Sequence, residues 1–329
     1  MSELFLRSIA VADLPEYKTS EEFDLTFCLP SGSTEKRTGV STRFIATGES
    51  LPDLAARSVK SALSMAGFGP PDLDLLIFAA ASSQQPIPST ASLVLNSLGK
   101  KLSVPCFDLD ATCLSFLQAL ETATALIETG RYETIAIVTA EKPTTFLNPS
   151  CQATAPLFGD GSATCILSSR TGGVKLSNLK SSFETHSEHS NSCTIKGGGL
   201  AAPAFSLSKD NQDDFYFKMQ GKQLYAAAAQ HLPQFLNTFL KRHKLSLSRF
   251  DKIIPHQASG TAIRLLTRRL GLSPQQVVNI VQNHGNQVAA SIPIALHHAM
   301  KEYPSGSFLL LGTGAGLGLG AISFDLERL

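Results

Sequence analysis

The sequence predicts an α/β protein built from two related halves. Three observations carry that expectation. Strand-like apolar runs alternate with helical segments through most of the 329 residues. A composition of 43% hydrophobic and 17% charged residues is that of a well-cored chain, not a disordered one. The third is a pattern used twice. "DLDLLIFAAASS" (Asp72–Ser83) leads into a helix closing on "LNSLG", and "RFDKIIPHQASG" (Arg249–Gly260) leads into one closing on "TRRLG".

In each copy an aspartate precedes a short apolar strand, and a small-residue turn precedes the helix. The next strand of the first half is Val104–Leu109. After Cys113 comes an Ala/Leu/Thr segment with apolar residues at helical spacing, closed by "TGRYE" and followed by the buried strand "TIAIVTA". In the second half "SFLLLGTG" takes the place of that last strand. Cys113 precedes Ile135 by 22 residues and Asn286 precedes Phe308 by 22, which places Cys113 and Asn286 at similar positions in the two halves. Between the halves, residues 171–216 are rich in Ser, Gly and Thr and are expected to form irregular loops and edge strands. The division expected is 1–170 and 171–329.

Composition also excludes some functions. A net charge of +1 lacks the basic excess of a dedicated nucleic-acid binder. The six cysteines are scattered without a CxxC pair, so neither a disulfide framework nor a zinc site is expected. His186 and His189 lie three apart without an accompanying acidic or cysteine ligand pattern, so no metal is expected there either. The N-terminus has acidic Glu3 and Asp13 and no long apolar core, and no apolar run reaches the ~18 residues that span a bilayer. A cytoplasmic, reducing setting is expected.

Three polar residues stand just after apolar strands, where ligands gather in α/β sheets: Cys113, His256 in "IIPHQAS" and Asn286 in "NHGNQVAAS". Cys113 sits at a strand-to-helix junction. Free N–H groups and the helix dipole there favour a thiolate and lower the thiol's pKa. Cys113 is therefore expected to be the cysteine alkylated fastest near neutral pH, with Cys106, on the preceding strand, buried and slow. A small core cysteine, a satisfied core histidine and a turn asparagine beside Gly285 are the structural alternatives. Together, at matching ends of repeated units, the three form a set for acyl chemistry: a thiolate nucleophile, with imidazole and amide donors for an oxyanion or enolate.

"RTGV", "FDLDATC", "PLFGDGSATCIL", "IIPHQAS", "HGNQVAASIPIAL" and "LLLGTGAGLGLGAISF" occur in this order over roughly residues 20–329. In these motifs the chain resembles the β-ketoacyl-acyl-carrier-protein synthase III group of the thiolase superfamily. The resemblance implies a five-layered αβαβα thiolase fold from two duplicated halves and an obligate homodimer. It makes Cys113 the acylated nucleophile, with His256 and Asn286 holding the second thioester, and puts the backbone N–H groups of Cys113 and Ala315 in the oxyanion hole. His284 becomes a wall residue, and "FGDGSA" a tight structural turn rather than a phosphate loop. No cofactor is permanently bound on this reading; coenzyme A or phosphopantetheine thioesters are the substrates.

The chain departs from the family pattern around the substrate. Thr313 stands where an aromatic residue gates malonyl decarboxylation. Arg37 is kept, but Ser33, Gln152 and Thr261 replace a tryptophan and two arginines of the coenzyme A grip. Ile87 replaces a phenylalanine that closes the partner subunit's acyl pocket, leaving room for a longer or branched chain. Lys218, Arg268 and Arg269 match basic positions that dock an acidic acyl carrier protein; a solvated helix face is the alternative. The expected activity is a thioester Claisen condensation, acylation from acyl-coenzyme A followed by attack of an enolate from a malonyl- or acyl-thioester. The rivals are an acyltransferase using an oxygen or nitrogen nucleophile, favoured by Thr313, and a non-catalytic subunit that binds acyl chains or a carrier.

Overall fold

A computed structural model describes residues 3–99 and 101–328. Its main sheet has strands β1 (Leu4–Val11), β2 (Leu75–Ala79), β3 (Cys106–Leu109), β4 (Thr134–Glu141), β5 (Gly161–Ser168), β6 (Val174–Thr185), β7 (Lys252–Pro255), β8 (Gly306–Gly314) and β9 (Gly318–Arg328). They run in the order β7-β8-β9-β6-β1-β5-β4-β2-β3. The helices that cover it are α1 (Leu51–Ala66), α2 (Thr90–Leu98), α3 (Ser115–Glu128), α4 (Gly221–His243), α5 (Gly260–Arg269) and α6 (Ser291–Glu302).

The sequence repeat is a repeat of topology. β2 pairs parallel with β3 and β4, β4 antiparallel with β5, and β5 antiparallel with β1. In the second half β7 pairs parallel with β8, β8 antiparallel with β9, and β9 antiparallel with β6. The place of β3 is taken there by a lone parallel bridge between Ile253 and Val277. β1 and β6 join the halves, with Leu4–Leu6 opposite Val174–Leu176.

Strand alternation builds the layers. Leu75, Ile77, Ile135 and Ile137 of one half, and Ile254, Phe308, Leu310 and Ile322 of the other, face inward onto α3 and α6. Leu76, Phe78, Ala136 and Val138 face outward onto α1 and α2. Ile253, Leu309, Leu311 and Ala321 face outward onto α4 and α5. The result is five layers, αβαβα, with α3 and α6 sandwiched in the middle. No helix of the described residues is long and apolar enough to cross a membrane.

Two expectations need correction. Residues 171–216 do include a strand, but β6, which occupies 12 of them, is not an edge strand: it pairs with β9 along its length and with β1 on its other side. The stretch reads as irregular because one face of β6 is half-exposed, which admits Ser, Lys and Asn among its apolar positions. The equal spacing of Cys113 and Asn286 is also misleading. Asp110 Oδ1 accepts from Thr112 N (2.7 Å) as Asn286 Oδ1 accepts from Val288 N (2.9 Å). Ser115 Oγ accepts from Ala111 N (2.9 Å) as Ser291 Oγ accepts from Gln287 N (3.0 Å). Thr112 and Val288 both have positive φ, 54° and 50°. Asn286 therefore corresponds to Asp110, and Cys113 to Ala289; a second half shorter by three residues beyond this turn hides the offset.

The "FGDGSA" turn is structural, as expected. Asp160 accepts from Ala46 N (2.9 Å) and Thr144 Oγ1 (2.7 Å), and Gly159 N donates to Asn286 O (3.1 Å). A Cβ on Gly159 would lie 2.3 Å from the His284 carbonyl oxygen. Gly159→Ala is expected to cost ~1–3 kcal/mol in urea denaturation, as overpacking against backbone does. Gly99→Ala, facing open space, should change stability by less than ~0.5 kcal/mol.

Candidate active site

Cys113 lies on the turn Thr112–Leu114 between β3 and α3. The N–H groups of Ala315 and of Cys113 itself both face its sulfur. Although the residue keeps partial exposure, burial of its thiol, then the nearby Glu141 and Cys193, push it up to about 12, and the two N–H groups do not offset this. The expectation of a lowered pKa is thus reversed. Desolvation outweighs the favourable end of α3, and the resting group is a neutral thiol.

His256 follows β7 and is 7% exposed. Its backbone N donates to Leu311 O on β8 (2.7 Å), and its Nδ1 is buried without a hydrogen-bond partner among the described residues. Burial pulls the imidazole down to about 4, so it is neutral at pH 7. Asn286 is 6% exposed. Because its Oδ1 is taken by Val288 N, its Nδ2 is the end left to donate, 3.4 Å from Ala258 O, two residues past His256. β8 ties these pieces together. Leu311 holds His256, while a Cβ on Gly314 would lie 2.8 Å from Thr112 Oγ1, beside Cys113. Thr313, between them, is half-buried and lines an apolar crevice with His256, Tyr225, Leu232 and Ala262 between α4 and α5.

Sequence reasoning missed Glu141, at the end of β4. It is fully buried, and its carboxylate accepts from Ala81 N (2.8 Å), Ser82 N (3.0 Å) and Ala289 N (3.3 Å). Burial raises it to about 7, despite the Ser82 and Ala81 hydrogen bonds. An acidic residue ending an otherwise apolar strand was the available signal. His284 packs between Phe44 and His298, ring centroids 5.3 and 5.2 Å away, and burial, then His298, holds it near 4.

The peripheral residues divide. Arg37 donates to Gln152 O (2.8 Å) at the surface. Thr261 Oγ1 lies 3.4 Å from Arg37 O and accepts from Arg264 (3.0 Å), so the Arg264 guanidinium reaches the hydroxyl that also meets Arg37. Lys218 is paired with Asp214 (3.3 Å), and Arg269 Nη1 is spent on Ala229 O (2.8 Å). Arg268 is exposed and makes no ion pair among the described residues. Ile87 is 84% exposed. Cys106 is not buried, because β3 is the outermost strand of the sheet and leaves it partly open. At Cys151 burial pushes the thiol up, but hydrogen bonds from Thr154 and Ala153 and the charge of Arg37 outweigh it and hold it low. His186, set aside in the sequence, meets Glu188 and also His231, which α4 brings from 45 residues away.

Two family descriptions match the chain: 3-oxoacyl-[acyl-carrier-protein (ACP)] synthase III over residues 107–187 and its C-terminal region over 240–326. Among curated proteins, a β-ketoacyl-[acyl-carrier-protein] synthase III of Clostridium perfringens is 32% identical over 88% of this chain and 89% of its own. One of Neisseria meningitidis is 34% identical over 87% and 88%. Among solved structures, the 3-oxoacyl-[acyl-carrier-protein] synthase III of Aquifex aeolicus superposes with a TM-score of 0.86 at 27% identity, covering 98% and 99% of the two chains.

Two outcomes follow from these environments. At pH 7 iodoacetamide should label exposed Cys28 and Cys151 ahead of Cys113, and the Cys113 rate should rise about tenfold per pH unit from 7 to 10, read by peptide mass spectrometry. Glu141 is held protonated above its unfolded range, so it lowers stability as pH rises from about 4.5 to about 7. The parent should lose up to ~1.4 kcal/mol per unit in that window relative to Glu141→Gln, measured by chemical denaturation.

Proposed function

The chain belongs to the β-ketoacyl-acyl-carrier-protein synthase III family of Claisen-condensing acyltransferases, and on that premise we propose that Cys113, His256 and Asn286 carry its two half-reactions. The carrying observation is the pair of N–H groups, from Cys113 and Ala315, that converge on one sulfur. An acyl-coenzyme A donor places its thioester carbonyl on that pair. As the sulfur attacks the carbonyl carbon, the pair takes up the oxyanion charge, coenzyme A leaves as thiol, and Cys113 is acylated. The neutral His256 and the second hydrogen of Asn286 Nδ2, the one not directed at Ala258 O, then hold the carbonyl oxygen of a malonyl- or acyl-thioester. Loss of carbon dioxide or of an α-proton leaves an enolate, which attacks the acyl-cysteine and expels the Cys113 thiolate as the carbon–carbon bond forms; the thiolate then takes up the α-proton, or one from water after decarboxylation, and the thiol is restored.

Arg37 and Arg264 are the cations we assign to the coenzyme A phosphates, and Arg268 is the exposed member of the three residues read as a carrier docking site. Thr313, being small, leaves the acceptor side open to a bulkier thioester. We divide the chain at 170/171 into a half bearing the nucleophile and a half bearing the imidazole and amide. A homodimer in the cytoplasm, with no permanently bound cofactor, completes the reading. Support for the dimer comes from the β3 edge, where Phe107 is 37% exposed, and from Ile87 on the loop that follows β2.

Intact-protein mass spectrometry with a panel of acyl-coenzyme A donors tests the first half-reaction and names the acyl group. Asn286→Ala should leave that acylation largely intact and cut the β-keto product by ~10²–10³. If the parent gives no carbon–carbon product and Asn286→Ala keeps full turnover with an alcohol or amine, the condensation reading is replaced by the oxygen or nitrogen acyltransferase that Thr313 also admits. Sedimentation at micromolar concentration should give a dimer, and Ile87→Phe should shift accepted donors toward shorter chains. A monomer with unchanged donor preference would remove the partner pocket.

A further inference from the structure

Away from the thiol, the segment after β6 folds back on α4 and gathers histidines and carboxylates. Donor atoms of His186, Glu188 and His231 lie within 4.8 Å of one another, the one such group of three among the described residues. The His186 and His231 rings are 3.9 Å apart between centroids, and His189 is 6.3 Å from His231. Each nitrogen of His186 faces a carboxylate: Glu184 Oε1 at 2.8 Å from Nε2, and Glu188 Oε1 at 3.8 Å from Nδ1. The Glu184 contact is close but off the hydrogen-bond direction, so Nε2 is buried without an aligned partner.

We propose that His186, Glu188 and His231 form a binding site for a divalent transition-metal ion of the zinc, cobalt or nickel class. Two imidazoles in contact repel if both are protonated, and among the described residues no hydrogen bond joins them. Two imidazoles and one carboxylate are a donor set for these borderline ions rather than for magnesium or calcium, which prefer oxygen. Glu184 beside the other nitrogen of His186 is the arrangement in which a carboxylate orients a metal-bound imidazole. Glu188 has the mobility to close the remaining distance, its side chain being 62% exposed. Water or His189 can complete a tetrahedron.

The site has structural reach. His186 N donates to Leu317 O (3.1 Å), two residues beyond Ala315, so a bound ion would fasten the 186–193 segment and α4 beside the turn that faces Cys113. The position is independent of the proposed condensing chemistry and holds whether or not that chemistry is correct.

The test uses metal-free, tag-free full-length protein with its thiols blocked by N-ethylmaleimide, titrated with cobalt(II) chloride and followed by absorbance and calorimetry. One ion per chain at micromolar or tighter affinity is expected, without a sulfur-to-metal charge-transfer band. His231→Gln and Glu188→Gln should each weaken binding at least tenfold, while His243→Gln, farther along α4 against Phe239, should not. Amide exchange across 186–193 should slow on metal addition in the parent and not in His231→Gln. Binding only at millimolar metal, or equal affinity in parent and His231→Gln with both folded by circular dichroism, overturns the proposal.

Discussion

The arrangement of the site depends on one buried carboxylate. Glu141 ends β4 inside the protein and is satisfied by backbone N–H groups from the segment after β2 and from the turn after Asn286. A carboxylate out of water costs several kcal/mol unless such donors surround it. The first-half loop and the second-half turn are therefore both held to the geometry that keeps them around Glu141. The same charge bears on Cys113, where after burial it is the next influence raising the thiol. Position and electrostatics oppose each other here. The clamp that fixes the turn beside the nucleophile also disfavours its thiolate.

Duplication explains why one site can use both halves. The two turns have the same hydrogen bonds, the same positive-φ residue and the same serine brace, so they present side chains in equivalent directions. Their residues have diverged. At the position of Cys113 the second half has Ala289, whose N–H serves Glu141. At the position of Asn286 the first half has Asp110, which supports its turn equally well but offers no side-chain donor. An amide can hold the turn through oxygen and donate through nitrogen at once; a carboxylate cannot. The backbone need is met by either residue, and the asparagine adds a donor.

Much of this was legible in the sequence because it rests on periodicity. The buried strands and the repeated Asp-strand-turn-helix unit follow from apolar runs with turn residues at their ends. The place of β6 inside the sheet was not legible, because a half-exposed strand admits serine and lysine and then resembles an edge strand or a loop. The three-residue offset between Cys113 and Asn286 was hidden because spacing counts residues and not turns. Glu141 and His231 were missed for a shared reason. Each acquires its surroundings from segments distant in the chain; for Glu141 the one local sign is an acidic residue ending an apolar strand, and for His231 there is none. The ionisation of Cys113 was misjudged because a helix terminus can be seen in sequence and burial cannot.

That reversal bears on how the thiol works. On the roles proposed for them, a thiol held near 12 and an imidazole held near 4 both stay neutral at rest. The penalty on each arises first from burial, so it falls on the separated charges and not on an attack in which charge passes directly from sulfur to the carbonyl oxygen. On the proposed roles, the N–H groups of Cys113 and Ala315, which face the sulfur, take up that moving charge. A sulfur with a high pKa is also the more nucleophilic once its proton departs. On the proposed roles, the resting site thus keeps Cys113 uncharged, and its ionisation accompanies the arrival of an acyl group.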